Sequence, residues 1–247
     1  MKEQRFFYAP HASIVDSLPE EEATHAVRVL RMKPGDEVFL MDGVGTFYKA
    51  LLVEANKKGC RYKIVDSISQ EKGWNAYLHI AMAPTKNIDR TEWFVEKAVE
   101  VGVDEITFLN TDFSERKKVN VERMQKIAIA AMKQSRKPFL TKINNLTDFT
   151  QLVTSKAQKN RFICHCYEEL ESGIQTKKIL LNNAIDNSDS LLVAVGPEGD
   201  FSINEVKEAI NQGFQPASLG NSRLRTETAA LMAAHIMNLN TMNENIK

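Results

Sequence analysis

SLLVAVGPEGDFS, residues 190–202, is the stretch that decides the fold class. Its first half, Ser190–Val195, is strongly apolar and predicts a buried β-strand. The glycine and proline that follow end the strand, and Ser202 with Glu205 predicts a capping box at the start of a helix. A strand that leads through a glycine loop into a helix is typical of an α/β protein with a mainly parallel sheet.

The same alternation of strands and helices extends over residues 73–247 and predicts one α/β domain. Strands are predicted at Ala76–Ala83, Glu105–Leu109, Arg161–Cys166, Ser190–Val195 and Pro216–Leu219. Helices are predicted at Asp89–Val101, Val121–Ser135, Asp148–Ala157, Gln175–Asn182, Asn204–Asn211 and Thr226–Leu239. For the first of these helices, Asp89 with Glu92 resembles a capping box.

Residues 1–72 differ from the rest because they are rich in short β-strands. Strands are predicted at Glu37–Met41, Thr46–Val53 and Cys60–Ile68, after a short helix at Glu20–Leu30. A small closed barrel removes the exposed edges of so short a sheet. We therefore predict two domains, a barrel at 1–72 and an α/β domain at 73–247.

The composition excludes several classes of protein. The 247 residues are 43% hydrophobic and carry 32 basic and 32 acidic side chains, which is typical of a soluble globular protein without a membrane span. The N-terminal residues lack a signal-peptide pattern, so we expect a cytoplasmic protein. Three cysteines do not make a disulfide scaffold, and Cys164-His165-Cys166 lacks the second ligand pair of a zinc site, so no metal is expected.

The charge is unevenly distributed although the net charge is zero. Between Ser114 and Lys142 there are nine basic residues and two acidic ones. This segment is either a lysine-rich solvated helix face or a surface for a polyanion such as RNA.

Two glycine loops follow predicted strands, where ligands bind in open α/β sheets. Glu198 and Asp200 in the first loop would repel a phosphate, so a ligand there is expected to be neutral or cationic. Arg223 and Arg225 in the second loop precede a helix N-terminus, where cations are unfavourable. They either bind an anion such as an RNA phosphate or pair with nearby carboxylates.

The two loops, Gly196 to Ser202 and Leu219 to Ala229, occur together with other short motifs. These are His25-Ala26-Val27-Arg28-Val29-Leu30-Arg31, Lys86-Asn87-Ile88-Asp89-Arg90, Glu100-Val101-Gly102-Val103 and Gln134-Ser135-Arg136. In order and spacing the chain resembles the ribosomal RNA small subunit methyltransferase E family, uridine-N3 methyltransferases of the SPOUT superfamily. It departs from the family pattern at Asp200, where the family usually has Gly, and at Arg223, which is displaced by one position because Ser222 stands in its place.

The resemblance implies a C-terminal α/β trefoil-knot domain of the SPOUT type, preceded by a PUA-like β-barrel. It also implies S-adenosylmethionine as methyl donor, a homodimer, and as target a uridine in the decoding region of 16S ribosomal RNA, either free or within the small subunit. The implied cofactor-binding residues are Cys166, Tyr167, Gly196, Pro197, Glu198, Gly199, Leu219, Gly220, Ser222 and Leu224. A positively charged sulfonium agrees with the acidic character of the first loop.

The implied reaction requires removal of the proton on uridine N3 and stabilisation of the resulting anion. We expect Arg225 to stabilise that anion, and Glu198 or Glu227 to help remove the proton. The candidate RNA-binding residues are Arg28, Arg31, Lys33, Lys86, Arg90, Arg116, Lys117, Gln134, Ser135, Arg136 and Arg223.

Two alternatives stay open at the level of sequence. A SPOUT methyltransferase can act on a ribose 2′-OH or on another base position, because the fold does not fix the acceptor. A non-catalytic RNA-binding protein that assists ribosome assembly would keep the barrel and the basic surface without binding the cofactor.

Overall fold

The computed structural model describes residues 4–168, 177–185 and 189–243. The chain divides into two compact units. The first consists of Met1–Lys72 with Ile129–Leu140, and the second of Gly73–Ala128 with Thr141–Lys247.

The first unit contains a four-stranded sheet. Its strands, which pair in chain order, are β1 (Phe6–Tyr8), β2 (Glu37–Met41), β3 (Thr46–Asn56) and β4 (Gly59–Ser69). β1 is parallel to β2, and the other neighbours are antiparallel. The segment after β1 crosses to β4, where the Tyr62 N–H donates to the Asp16 carbonyl (2.8 Å) and the Leu18 N–H to that of Cys60 (2.9 Å). The outer edge of β4 is thereby occupied by this segment.

Local chemistry sets the turns and the core of this unit. The Asp42 carboxylate accepts the N–H groups of Val44 and Thr46, both at 2.9 Å, and fixes the turn between β2 and β3. α1 (Glu20–Thr24) continues into a π-helical turn, His25–Val29, within the stretch predicted as one helix. Fully buried side chains such as Phe7 and Leu40 form the core of this unit.

The second unit contains a seven-stranded parallel sheet. Its strands are β5 (Tyr77–Met82), β6 (Glu105–Asn110), β7 (Lys142–Asp148), β8 (Asn160–Cys164), β9 (Ile179–Leu180), β10 (Ser190–Val195) and β11 (Gln215–Ser218). Their order is β7-β6-β5-β10-β8-β11-β9. β10 lies between β5 and β8, and each of its residues after Ser190 is buried. The apolar run of the sequence is therefore an internal strand of the sheet.

The remaining helices accompany this sheet. They are α2 (Ile88–Val101), α3 (Val121–Ser135), α4 (Phe149–Thr154), α5 (Leu181–Ala184), α6 (Ile203–Asn211) and α7 (Thr226–Thr241). The last seven residues of α3 belong to the first unit. α7 packs against α2, and the Asn238 side chain donates to the Gly102 carbonyl at 3.1 Å. No helix within the described part of the chain combines the length and the apolar character that crossing a membrane requires.

The structure confirms the mixed α/β fold class and corrects several elements. α2 is capped by Asn87, whose side chain accepts the Asp89 N–H at 3.1 Å, so the capping box predicted from Asp89 was wrong. Of the helix predicted at Gln175–Asn182, residues 175 and 176 lie outside the described residues, and Ile179–Leu180 is a strand. β7 was not predicted because this edge strand, KINNLTD, lacks an apolar run.

Candidate functional site

A cavity of about 1190 Å³ lies at the carboxyl ends of β8, β10 and β11 in the second unit. Three segments form most of its wall: 164–168, 195–200 and 217–226. Lys177, Lys178 and Ala229 complete it. Because neighbouring parallel strands end at the same edge of a sheet, the loops that follow them meet there. The acidic loop and the arginine-bearing loop therefore share one cavity.

The acidic loop is held at its C-terminal end by the first turn of α6. Ser202 and Glu205 form the predicted capping box, in which Ser202 Oγ accepts the Glu205 N–H (3.2 Å) and the Glu205 carboxylate accepts the Ser202 N–H (2.7 Å). Phe201 is fully buried and packs against Phe149, with ring centroids 5.2 Å apart. Burial of Phe201 anchors the loop on the core.

Asp200 fastens the acidic loop to the segment after β8. Its backbone has a φ of +68°, in the left-handed region that Gly, Asn and Asp tolerate best. Its carboxylate accepts the N–H of Cys166 at 2.7 Å and that of Phe201 at 2.8 Å. The left-handed backbone explains why glycine suits this position, and Asp adds a bond that glycine cannot make.

Glu198 fastens the same loop on its other side. One carboxylate oxygen accepts the backbone N–H of Lys86, which follows β5, at 2.9 Å. Glu198 is exposed and lines the cavity, so it both holds a neighbouring loop and places a negative charge at the site.

Arg223 and Arg225 line the cavity from the second loop, and both are exposed. Arg225 is the N-cap residue of α7, and its carbonyl accepts the Ala229 N–H at 2.8 Å. The helix thus fixes the backbone of Arg225 at the cavity wall. Burial raises the pKa of the Cys166 thiol, and the negative charge of Asp200 raises it further. The positive charge of Arg223 lies close enough to Cys166 to oppose this rise.

The segment after β8 supplies the third wall. Tyr167 donates its hydroxyl to the Phe201 carbonyl at 2.7 Å, a second link to the acidic loop. Burial raises the pKa of Cys164 to about 12, so that thiol stays protonated at neutral pH. His165 is buried, which lowers its pKa, and its ring nitrogens have no hydrogen-bond partner among the described residues. The described residues also contain no group of three or more His, Cys, Asp or Glu side chains suited to a metal.

All predicted cofactor-binding residues line this cavity: Cys166, Tyr167, Gly196, Pro197, Glu198, Gly199, Leu219, Gly220, Ser222 and Leu224. Cys164, His165 and Asn221, which lie in the loops that the resemblance assigns to the cofactor, also line it. Further lining residues were absent from the prediction: Glu168, Lys177, Lys178, Val195, Ala217, Ser218, Thr226 and Ala229. Glu168, Val195, Ala217 and Ser218 could have been found from their position at the carboxyl ends of predicted strands.

Glu227 does not line the cavity, although Arg225 two residues earlier does. Its side chain is buried, and one carboxylate oxygen lies 3.8 Å from Nε of Arg90. The other oxygen is buried and has no hydrogen-bond partner among the described residues. Glu198 is therefore a lining residue of the cavity, whereas Glu227 lies beside Arg90 and is not among the lining residues.

The predicted RNA-binding residues of the second unit are held by local contacts. Lys86 pairs with Glu115 at 2.8 Å. Arg116 donates to the Thr85 carbonyl at 3.0 Å and to that of Lys86 at 2.5 Å. Lys117 donates to the side-chain amide oxygen of Asn110 (2.9 Å) and to the backbone carbonyl of Thr111 (3.1 Å).

The predicted RNA-binding residues of the first unit divide into two groups. Arg28, Arg31 and Lys33 are exposed around the π-helical turn and the loop after it. At the end of α3, Gln134 is exposed, Ser135 donates to the Ala131 carbonyl at 2.7 Å, and the Arg136 guanidinium lies over the Phe6 ring at 4.9 Å.

Comparison with known families agrees with this arrangement. The model of an RNA methyltransferase domain matches residues 72–238, and the model of an RNA methyltransferase PUA domain matches residues 18–65. A curated relative from Bacillus subtilis, named ribosomal RNA small subunit methyltransferase E, is 26% identical over 232 residues. The match covers 91% of this chain and 90% of that relative.

Two solved structures resemble the whole chain. One, described as an rRNA-methyltransferase from Porphyromonas gingivalis, is 39% identical with a TM-score of 0.87, and the match covers 96% of this chain and 98% of that one. The other is a methyltransferase from Legionella pneumophila in complex with SAM. It is 25% identical, with a TM-score of 0.84 and the same coverage of both chains.

Proposed function

The chain belongs to the RNA methyltransferase family, and from this premise we propose that it transfers a methyl group from S-adenosylmethionine to N3 of a uridine in the decoding region of 16S ribosomal RNA. The observation that carries the proposal is the meeting of Glu198 and Arg225 in one cavity. One loop provides negative charge for a cationic donor, and the other provides a permanent cation for an anionic pyrimidine.

The residues of the cavity fit S-adenosylmethionine. A volume of about 1190 Å³ is ample for a ligand of that size, because small-molecule sites are typically about 300–1,000 Å³. Gly196 lets the two ends of the acidic loop approach closely, since a Cβ there would lie 3.0 Å from the Phe201 nitrogen. When bound, the cofactor supplies an electrophilic methyl group on a sulfonium. The loops containing Cys166, Gly199 and Gly220 would hold it.

Arg225 and Glu198 perform the protein's part of the chemistry in this proposal. Uridine N3 becomes a nucleophile when its proton leaves, and the charge then spreads over the flanking carbonyl oxygens. The Arg225 guanidinium stays charged and offers two donors to a planar partner, so it stabilises that anion. Glu198 is the candidate carboxylate for accepting the proton, because it lies in the cavity whereas Glu227 is buried beside Arg90.

The RNA partner is proposed to contact basic residues of both units, chiefly through its phosphates, with the target base extruded into the cavity. Arg28, Arg31 and Lys33 are the candidates in the first unit, and Arg116 and Lys117 in the second. We further propose the small ribosomal subunit as the context of the reaction, a homodimer as the assembly and the cytoplasm as the location.

Arg225→Ala tests the proposal, and Arg223→Ala in the same loop is compared with it, because Arg223 is a candidate for binding RNA and not for stabilising the anion. Cofactor affinity is measured by calorimetry, and methyl transfer to unmethylated small subunits is measured by mass spectrometry of nucleosides. Removing a preorganised stabiliser of developing charge costs about 10²–10³ in kcat, so Arg225→Ala should lose at least a hundredfold in rate with little change in cofactor affinity. Equal losses in rate and affinity would contradict the proposed role, and a product other than N3-methyluridine would contradict the proposed acceptor.

A further inference from the structure

Phe113 is an exposed aromatic side chain beside the cavity. Its side chain is 51% exposed, and it lies in the loop after β6. It packs over Gly199 of the acidic loop, where an added Cβ would lie 3.4 Å from the Phe113 Cβ. Because Gly199 lines the cavity, Phe113 contacts a residue of the cavity wall.

The turn that carries Phe113 is closed by buried hydrogen bonds. The Ser114 N–H donates to the Thr111 carbonyl and the Thr111 N–H to Ser114 Oγ, both at 3.1 Å. The two hydroxyl groups lie 2.8 Å apart. The backbone on both sides of Phe113 is therefore fixed while its ring faces solvent.

Asp112 links the same turn to the start of α6. Its N–H donates to the Glu205 carboxylate at 3.0 Å, and its own carboxylate accepts the Ser202 hydroxyl at 2.6 Å. These residues also form the capping box that holds the acidic loop. The position of Phe113 is thus coupled to the wall of the cavity.

Two basic side chains lie close to Phe113 in the sequence. Arg116 and Lys117 follow it within four residues and donate to neutral oxygens, and these bonds leave their positive charges in place. Of the two local acids, Glu115 pairs with Lys86, and Asp112 is held by the Ser202 hydroxyl, which does not cancel its charge. Exposed aromatic rings among basic side chains are typical of surfaces that bind single-stranded nucleic acid.

We propose that Phe113 stacks on an unpaired base of the RNA substrate adjacent to the nucleotide in the cavity. This inference rests on the proposed function, and it adds that the substrate must be single-stranded around the methylated position. Stacking uses the face of the base and is therefore tolerant of its identity. Phe113 is a positioning residue in this proposal and does not touch the methyl donor.

The test compares Phe113→Ala, Phe113→Tyr and Phe113→Leu in the full chain. Affinity for unmethylated small subunits, KM and kcat are measured, together with cofactor affinity by calorimetry. Loss of one stacked base should weaken RNA binding and raise KM about 5- to 150-fold in the Ala variant, with unchanged cofactor affinity. Phe113→Tyr should restore binding to within a few-fold, whereas Phe113→Leu should not, because leucine keeps apolar bulk without a π face.

Trp93→Ala is the matched control, because Trp93 is an aromatic residue of similar exposure (43%) on α2. Equal losses at both positions would overturn the inference, as would wild-type RNA affinity in Phe113→Ala. If light scattering gives Phe113→Ala a lower molar mass than the wild-type protein, the ring lies in a contact between two copies of the chain, and the inference is overturned. If the wild-type protein transfers no methyl group to the subunits, the proposed function itself fails, which separates the two failures.

Discussion

Substitutions at Asp200 give a quantitative test of whether its carboxylate stabilises the wall of the cavity. The substitutions are Asp200→Asn, Asp200→Gly and Asp200→Ala. Wild-type Asp200 makes a non-local bond to the Cys166 N–H (2.7 Å) and a local one to Phe201 (2.8 Å), in a left-handed backbone conformation. A hydrogen bond to a charged group is worth about 1.5–3 kcal/mol, and partial exposure favours the lower end of that range.

The three variants separate the contributions. Asp200→Gly removes both bonds but suits the backbone, so it should lose about 2 kcal/mol of unfolding free energy. Asp200→Ala adds a left-handed Cβ and should lose about 1 kcal/mol more. Asp200→Asn keeps an acceptor oxygen and should lose about 1 kcal/mol. The expected order of stability is therefore wild type, Asn, Gly, Ala.

Urea denaturation measures this order, and calorimetry with S-adenosylmethionine measures its effect on the cavity. Cofactor affinity should follow the same order, because Cys166 lines the cavity. Asp189→Ala is the control, since the exposed Asp189 pairs with Lys159 on the surface at 2.6 Å, and it should change neither quantity. Stability of Asp200→Ala equal to or above that of Asp200→Gly would refute the backbone argument, and a wild-type result for Asp200→Gly would refute the role of the carboxylate.

Three further changes test other parts of the molecule. Gly102→Ala should lower the unfolding free energy, measured by urea denaturation, by about 2–4 kcal/mol. The φ of Gly102 is +109°, and an added Cβ would lie 2.5 Å from the Trp74 ring. Gly73→Ala is the control: an added Cβ there meets nothing within 4 Å, so the unfolding free energy should change by less than about 0.5 kcal/mol. Burial lowers the pKa of His79 from 6.5 to about 4, so the unfolded chain binds the proton first as the pH falls. Stability should therefore fall by up to about 3 kcal/mol between pH 6.5 and 4, and His79→Gln should flatten that pH profile. If Arg28 contacts a phosphate, Arg28→Ala should reduce the slope of log Kd against log salt by about 1 in filter binding, and an unchanged slope would exclude that contact.

The sequence predicted best the elements whose pattern comes from burial. Ser190–Val195 and Val121–Ser135 have the predicted boundaries, because an internal strand and an amphipathic helix each leave a clear apolar pattern. Lys142–Asp148 has no such pattern, since it is an edge strand with one buried residue. Only its pairing with β6 in the structure identifies it as a strand. The knot implied by the family resemblance also has no local signal, because general rules of chain topology disfavour it.

The same limit applies to the site. That the two glycine loops share a cavity was predictable, because loops after parallel strands meet at one edge. The placement of Glu227 was not, although it lies two residues from Arg225. Arg225 is the N-cap residue with an extended backbone, whereas Glu227 lies in the first turn of α7, so helical spacing does not relate the directions of their side chains. Only the packing of α7 decides which of the two faces the cavity.

The acidic residues of the first loop, together with Glu205 in the first turn of α6, have a role that charge alone does not reveal. Glu198, Asp200 and Glu205 each accept a backbone N–H from a different neighbouring segment. The three donors are the amides of Lys86, Cys166 and Asp112. A carboxylate that accepts an amide N–H keeps its negative charge, so Glu198 and Asp200, which line the cavity, both join the loops and provide the potential for a cationic ligand. The geometry of the cavity and its electrostatics are consequently coupled, and a substitution that removes one of these charges also loosens the wall unless it preserves the acceptor oxygen.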